Sequence, residues 1–279
     1  MSTRAPKDLP RYPYCNGYCS IVSVKLFANR RSQVEVSWAV KILALIPARG
    51  GSVSIPRKNL AILGDKPLIA WTILEAKRVP RIDRLIVSTE DQEIAEVAGQ
   101  YGAELPFIRP TTLAQNDSPT LDVVLHALDW LEANEYYKPD AVLLLQPTSP
   151  FRLAADIERA IDLLITCKCP AVVSITPSHP HPFLAFRLTR SGSLKKVWRH
   201  DIGHVRRQDL PETYHLNGAI YLIRTPILRM HRTFLPKGTK ALVMPRERSL
   251  DIDEPCDLLI ARAIVEGELW QNMCGSQAA

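Results

Sequence analysis

Ile42-Leu43-Ala44-Leu45-Ile46, continued by Pro47-Ala48-Arg49-Gly50-Gly51-Ser52-Val53-Ser54-Ile55-Pro56-Arg57-Lys58-Asn59-Leu60, is an unbroken aliphatic run that gives way to a loop of glycine, proline and cations. A short apolar run without alternation fits a strand covered on both faces, the usual condition in the parallel sheet of an α/β protein. Pro47 ends it. The loop therefore leaves the C-terminal end of a strand, where open α/β sheets place their ligands. Gly50 and Gly51 let backbone N–H groups come close to an anion, and Arg49, Arg57 and Lys58 bring three cations into ten residues. Such a loop suits a polyphosphate. It lacks the Gly-Lys-Ser/Thr ending of a Walker loop and the Gly-x-Gly-x-x-Gly of a dinucleotide fingerprint. By these features alone, a solvated basic loop reads the same way.

Beyond the loop, β-rich runs alternate with helical periods, the pattern of a sheet built from βα units. Helices are expected at Pro67 to Arg78 and Asp91 to Tyr101, with a strand at Leu85 to Ser88 between them. A further helix is expected to start at an N-cap Ser118, with Pro119 in its first turn. Its residues Leu121, Val124, Leu125, Leu128 and Leu131 recur at helical spacing and belong to the core. Strands at Ala141 to Leu145 and Ala171 to Thr176 flank a helix at Leu153 to Thr166. Pro177 to His215 departs from this rhythm, with prolines, clustered charges and short extended pieces at Phe183 to Thr189 and Leu194 to Trp198 around a Ser191-Gly192-Ser193 turn. It reads as an insertion that leaves the main sheet. Ala219 to Ile223, a helix near Pro226 to His231, a strand at Ala241 to Met244 and a last helix at Glu254 to Glu266 resume the α/β pattern.

The chain has 279 residues, 46% apolar and 23% charged, which excludes a disordered polymer and a small disulfide scaffold. Its formal charge of +6 is concentrated at one end: residues 1–40 hold six Lys/Arg against two Asp/Glu, and the remainder holds 29 against 27. A nearly balanced body argues against nucleic acid as a partner. No apolar run approaches the roughly 20 residues of a membrane-spanning helix, so no membrane partner is expected. The stretch Ile21 to Ala28 is interrupted by Lys25 and does not read as a secretory leader. The six cysteines form no Cys-x-x-Cys pair and read as reduced thiols of a cytoplasmic protein. Residues 1–38 are expected to be a disordered extension, 39–270 the functional domain and 271–279 a tail. His126, on the apolar-periodic helix, is expected to be structural.

Asp251-Ile252-Asp253 is a second constellation. Residues two apart in an extended segment point the same way, so both carboxylates can face one site while Ile252 faces the core. Hard oxygen donors on one side suit Mg²⁺, with phosphate oxygens and water completing its octahedron. Two acids capping the helix that starts near Pro255 fit the sequence equally well.

Several ordered motifs between Lys41 and Val265 resemble those of the acylneuraminate cytidylyltransferases, the CMP-sialic acid synthetases. They are Ala48-Arg49-Gly50-Gly51-Ser52 with Pro56-Arg57-Lys58-Asn59, Val87-Ser88-Thr89-Glu90, Leu145-Gln146-Pro147-Thr148-Ser149-Pro150, Arg206-Arg207-Gln208, Asn217-Gly218-Ala219-Ile220-Tyr221 and Ser249-Leu250-Asp251-Ile252-Asp253. The resemblance implies an α/β, Rossmann-like three-layer sandwich of the nucleotide-diphospho-sugar transferase type, with an inserted dimerisation arm at residues 177–215 and hence a homodimer. It implies transfer of CMP from CTP to an acidic nine-carbon sugar: sialic, legionaminic or pseudaminic acid. A cytidylyltransferase for the eight-carbon sugar of lipopolysaccharide and a catalytically weak nucleotide-binding relative are the alternatives. The acidic residues that usually follow the glutamine in the eight-carbon group are absent here.

Carried over by position, Arg49 and Lys58 grip phosphate, and Ala48, Gly50, Gly51, Ser52 and Asn59 form the nucleotide loop. Arg109, Ser118 and Thr120 fall at the cytidine end. Gln146, Arg207 and Asn217 match sugar-pocket positions, Arg206 matches an arginine near the active site, and Asp251 and Asp253 match the Mg²⁺ pair. Val53-Ser54 stands where the family usually carries Lys-Gly, so one cation and one flexible residue are missing. Because every chemical motif follows Lys41, a chain beginning at Val40 is expected to fold and to retain CTP-dependent pyrophosphate release equal to that of the full chain. Folded but inactive truncated protein refutes this.

Overall fold

A computed structural model describes residues 40–197 and 206–267, apart from the side chain of Arg207. The expectations for residues 1–38, for Trp198 and for the tail 271–279 lie outside the described residues. In chain order the strands are β1 (Ile42–Pro47), β2 (Ile62–Leu63), β3 (Lys66–Pro67), β4 (Arg84–Ser88), β5 (Ala141–Leu144), β6 (Ala171–Pro177), β7 (Phe186–Leu188), β8 (Leu194–Lys196), β9 (Tyr214–Arg224) and β10 (Lys240–Val243). The α-helices are α1 (Leu68–Lys77), α2 (Gln92–Gln100), α3 (Thr120–Glu135), α4 (Ala154–Thr166), α5 (Thr225–His231) and α6 (Pro255–Glu266).

Six strands form one mixed sheet in the order β10-β6-β9-β5-β1-β4. β1 pairs in parallel with both β4 and β5, and only β9 runs antiparallel to its neighbours. Alternation along β1 shows why its sequence is apolar throughout. Ile42, Ala44 and Ile46 enter a core with Ile69 and Ile73 of α1, Ile94 of α2 and Ile157 and Ile161 of α4. Leu43 and Leu45 enter the opposite core with Val124, Leu128 and Leu131 of α3 and Leu228 of α5. Helices on both faces make three layers, the expected sandwich. A third cluster seats α6 through Leu258 and Ala261 on Trp71, Phe151 and Ile252.

The boundaries depart from expectation at informative places. α3 begins at Thr120, not behind a Ser118 cap, because Pro119 is extended (φ −64°, ψ 132°) and has no side chain to cap with. Ser118 Oγ instead accepts from the Gln115 N–H (3.0 Å) and donates to the Thr112 carbonyl (3.2 Å), folding the preceding loop. Pro67 likewise ends β3 and precedes α1 rather than joining it. β9 starts at Tyr214, earlier than Ala219, because Tyr214, His215 and Leu216 continue the pairing with Pro177, Thr176 and Ile175 past an irregularity at Val173/Ile175. The extended pieces read between Phe183 and Trp198 reduce to β7 and β8, an antiparallel pair separate from the main sheet.

Ile46, fully buried at the end of β1, carries the loop that follows. Ile46→Ala is expected to cost about 2–5 kcal/mol, from lost transfer energy and the cavity left behind. A lowered denaturant midpoint at unchanged m-value reads it.

Candidate active site

The loop after β1 is shaped by backbone and acid contacts from the next strand. The Ala48 N–H donates to the Ser88 carbonyl (3.0 Å), holding the loop's start against the end of β4. Asn59, buried, donates from Nδ2 to the Arg49 carbonyl (2.9 Å) and so ties the end of the loop to its beginning. Gly50 N–H donates to Glu90 Oε1 (2.7 Å), and a Cβ at Gly50 would lie 2.3 Å from Asp91 Oδ2, so this position needs glycine for close packing. Gly51 has open space around it. Arg57 takes a left-handed conformation (φ 55°) and turns its guanidinium onto Asp91 and Glu93. Of the three cations in the loop, Arg57 is therefore spent on holding it, and Asp91 anchors α2 by also accepting from the Ile94 N–H (3.0 Å).

Arg49 and Lys58 face a cleft of about 270 Å³ at the C-terminal end of the sheet, together with Ser52, Asn59, Arg109, Ser118, Thr120 and Gln146. Eight residues expected to bind nucleotide, phosphate or sugar thus converge on one space. Arg49 donates to the Gln115 carbonyl (2.9 Å). Lys58 Nζ spans to the other side, donating to the Ile252 carbonyl (2.8 Å) and to Asp253 Oδ1 (3.0 Å). Arg109, 3% exposed, is ion-paired with Glu90. Val53 is 75% exposed at the loop's surface.

The acid pair lies beside this cleft. Ile252 is buried, as the alternation requires, and its N–H donates to the Thr148 carbonyl (2.8 Å). Asp251 Oδ1 is buried without a partner. Burial raises the Asp251 carboxyl above its ordinary range and Asp253 adds to this, while a hydrogen bond from Thr148 and the charges of Lys58 and Arg152 oppose it. α6 is capped by Glu254 and Asp257, whose carboxylate accepts from the N–H groups of Asp253 (3.0 Å) and Glu254 (2.8 Å). The helix-cap reading of Asp251 and Asp253 is accordingly replaced: that work is done by their neighbours.

Asn217 and Arg206, among the other expected site residues, do not line this cleft. The Asn217 amide is consumed internally: Oδ1 accepts from Ser174 Oγ (2.5 Å) and the Ala219 N–H (3.3 Å), and Nδ2 donates to Ser249 Oγ (2.9 Å) and Met244 Sδ (3.5 Å). It braces β6, β9 and the segment leading to Asp251, and is not among the residues lining the cleft. Arg206 is exposed and pairs with Asp209 (2.9 Å), and Arg207 opens the one-turn helix Arg207–Asp209. His126 stacks edge-on against Phe107, and burial lowers its pKa, in keeping with a structural role.

Sequence reading missed the lining residues Leu113, Gln115 and Asn116, which lie in an aperiodic loop with no pattern to mark them. It also passed over Arg152, fully buried, which donates to the Ala219 carbonyl (2.8 Å), Thr72 Oγ1 (2.8 Å) and the Gln146 carbonyl. Burial lowers its pKa, and Asp251, Asp156 and Glu75 oppose that shift.

Comparison with known proteins bears out the resemblance. The family model described as "Cytidylyltransferase" matches residues 43–237. CMP-N,N'-diacetyllegionaminic acid synthase of Legionella pneumophila is 35% identical over 81% of this chain and 97% of its own length. N-acylneuraminate cytidylyltransferase of Escherichia coli is 34% identical over 84% of this chain, which spans 55% of that protein. Pseudaminic acid cytidylyltransferase of Campylobacter jejuni is 32% identical over 81% of this chain and 96% of its own. Among solved structures, a CMP:2-keto-3-deoxy-manno-octonic acid synthetase complexed with CTP superposes with a TM-score of 0.61 at 18% identity, over 82% of this chain and all of the other. That likeness shows a shared fold. With the motifs in order, the sheet and its loop in place and the family model covering most of the domain, the chain belongs to the cytidylyltransferase family.

Proposed function

We propose that the protein transfers CMP from CTP to the anomeric hydroxyl of an acidic nine-carbon sugar of the legionaminic, pseudaminic or sialic type, releasing pyrophosphate. The observation that carries this reading is the cleft, where Arg49, Ser52, Lys58, Asn59, Arg109, Ser118, Thr120 and Gln146 meet beside Asp251 and Asp253. The named activities of three relatives, a CMP-N,N'-diacetyllegionaminic acid synthase, an N-acylneuraminate cytidylyltransferase and a pseudaminic acid cytidylyltransferase, support the substrate class.

In the reaction the anomeric oxygen forms a bond to the α-phosphorus as the bond from that phosphorus to the bridging oxygen of pyrophosphate breaks, and the hydroxyl proton leaves to solvent or to phosphate. Such transfers need positioning and charge stabilisation more than covalent help. Arg49 and Lys58 offset charge growing on the pyrophosphate. Gln146, its carbonyl fixed by Arg152, presents its side chain to the sugar. Asp251 and Asp253 fit Mg²⁺: both are hard oxygen donors, and Asp251 keeps a buried oxygen without a partner at a carboxyl that burial makes costly to ionise. Bound there, Mg²⁺ supplies Lewis-acid neutralisation of phosphate oxygens.

The same reading makes the protein a cytoplasmic homodimer. Exposed Phe186, Leu188 and Leu194 on the β7–β8 pair, with Leu216 on β9, give an apolar surface that supports association. Among the described residues no helix is long and apolar enough to cross a membrane.

Pyrophosphate release from CTP and Mg²⁺, measured against legionaminic, pseudaminic, N-acetylneuraminic and eight-carbon octulosonic acids, tests the assignment. Turnover confined to the eight-carbon acid, or none with any acid, rejects it. Lys58→Ala is expected to lower kcat about 100-fold or more with the fold intact, since it removes a cation facing the leaving group. Activity within a few-fold of wild type removes Lys58 from that role. Asp253→Asn, at a side chain 69% exposed, is expected to lower activity and raise the Mg²⁺ concentration for half-maximal rate without a change in Tm. Unaltered metal dependence argues against the pair as ligands.

A further inference from the structure

The three cations lining the cleft are electrostatically unequal. Arg49 has no carboxylate partner among the described residues and donates to a backbone carbonyl. Lys58 rests on an acid that is largely in solvent. Arg109 is buried, and so is most of the acid that holds it: its Nη2 donates to Glu90 Oε2, and the Glu90 side chain is 15% exposed. The other Glu90 oxygen accepts the Gly50 N–H (2.7 Å), and the Arg109 N–H donates to the Thr89 carbonyl (2.9 Å), so the pair is fixed on two sides. Arg109 Nε is buried with no partner at all.

A close, desolvated guanidinium–carboxylate pair has no net charge, although the guanidinium keeps its remaining donors. Attraction for an anion in the cleft thus comes from Arg49 and Lys58, and the Arg109 side offers N–H groups without net charge. We propose that Glu90 sets the direction in which a nucleotide lies here. By neutralising Arg109 and pinning it to the Gly50 backbone, it makes that side a seat for the uncharged base and leaves the triphosphate to Arg49 and Lys58. Arg109 lines the cleft, and the guanidinium N–H groups there that Glu90 does not engage are donors suited to a ring carbonyl or ring nitrogen of the base. Glu90 itself is a positioning residue, acting through Arg109. The inference rests on CTP being the nucleotide bound, as proposed above.

The test is a charge cycle on the full chain, at fixed Mg²⁺ and ionic strength, with cytidine and inorganic tripolyphosphate as separate probes of CTP displacement. Glu90→Gln preserves the shape and can still accept the Gly50 N–H, but it unmasks the Arg109 charge. Tripolyphosphate is expected to bind about threefold or more tightly than to wild type. Cytidine is expected to bind about tenfold more weakly, because its arginine has lost a charge-assisted bond. Arg109→Gln leaves Glu90 uncompensated and is expected to weaken both probes. The double variant, neutral again, is expected to return tripolyphosphate binding to within about twofold of wild type while cytidine stays weak. Opposite movement of the two probes in Glu90→Gln is the signature that a merely structural role cannot produce. Parallel weakening of both probes, or tripolyphosphate binding unchanged by Glu90→Gln, overturns the proposal. Should Glu90→Gln not fold by circular dichroism, failure of the double variant to recover tripolyphosphate binding relative to Arg109→Gln overturns it equally. Wild-type turnover against the sugar panel is read in parallel, so failure of the substrate assignment is seen apart from failure of the charge layout.

Discussion

The guanidinium of Arg152 is the contact on which the site's framework depends. It has no exposed surface, yet it joins the exit of β5 through the Gln146 carbonyl, β9 through the Ala219 carbonyl and α1 through Thr72. Burying a cation costs several kcal/mol unless its donors are satisfied and opposite charge is near. Here three acceptors and the fields of Asp251, Asp156 and Glu75 meet that cost. The consequence is rigidity where the chain has no regular structure: the Gln146-Pro147-Thr148 turn can hold one conformation because its first carbonyl is bound from below. That turn in turn accepts the Ile252 N–H through Thr148, which sets Asp251 and Asp253 beside the cleft.

A second constraint comes from the strand ends. β1, β4 and β5 run parallel and side by side, so the segments that follow them emerge on one edge of the sheet and can touch. Glu90 and Asp91 leave β4 to meet Gly50 and Arg57 in the loop after β1. Lys58, in the same loop, reaches Ile252 and Asp253 almost two hundred residues away. Acids from the neighbouring strand thus do what a bound anion would otherwise have to do, holding a loop of like charges together before any ligand arrives. Preorganisation of this kind lowers the ordering cost of binding.

Much of this was legible in the amino-acid sequence. The apolar run of β1 required a strand covered on both faces, because hydrogen-bonded backbone with aliphatic side chains on both sides is stable only between two layers. The loop composition suited an anion site, although a solvated basic loop fitted it too, and the order of motifs pointed to the family. The alternation of Asp251, Ile252 and Asp253 allowed both acids to face one site with the middle residue in the core, and Ile252 is buried as that reading expects.

Only the tertiary structure decided how those residues share the work. Arg57 was one of three cations in the loop by composition and proves to be a tether, since its partners, Asp91 and Glu93, come from the segment that follows another strand. Asn217 sits in a recognisable motif, but its four hydrogen bonds lead to Ser174, Ala219, Met244 and Ser249, contacts that no local pattern encodes. Pro119 fixed a φ angle compatible with a helix, yet its ψ was set by the loop that Ser118 closes. Periodicity and composition record which surfaces must leave water, a property each residue carries by itself. Which cation meets which acid depends on where separate strands end, and that is settled only when the sheet assembles.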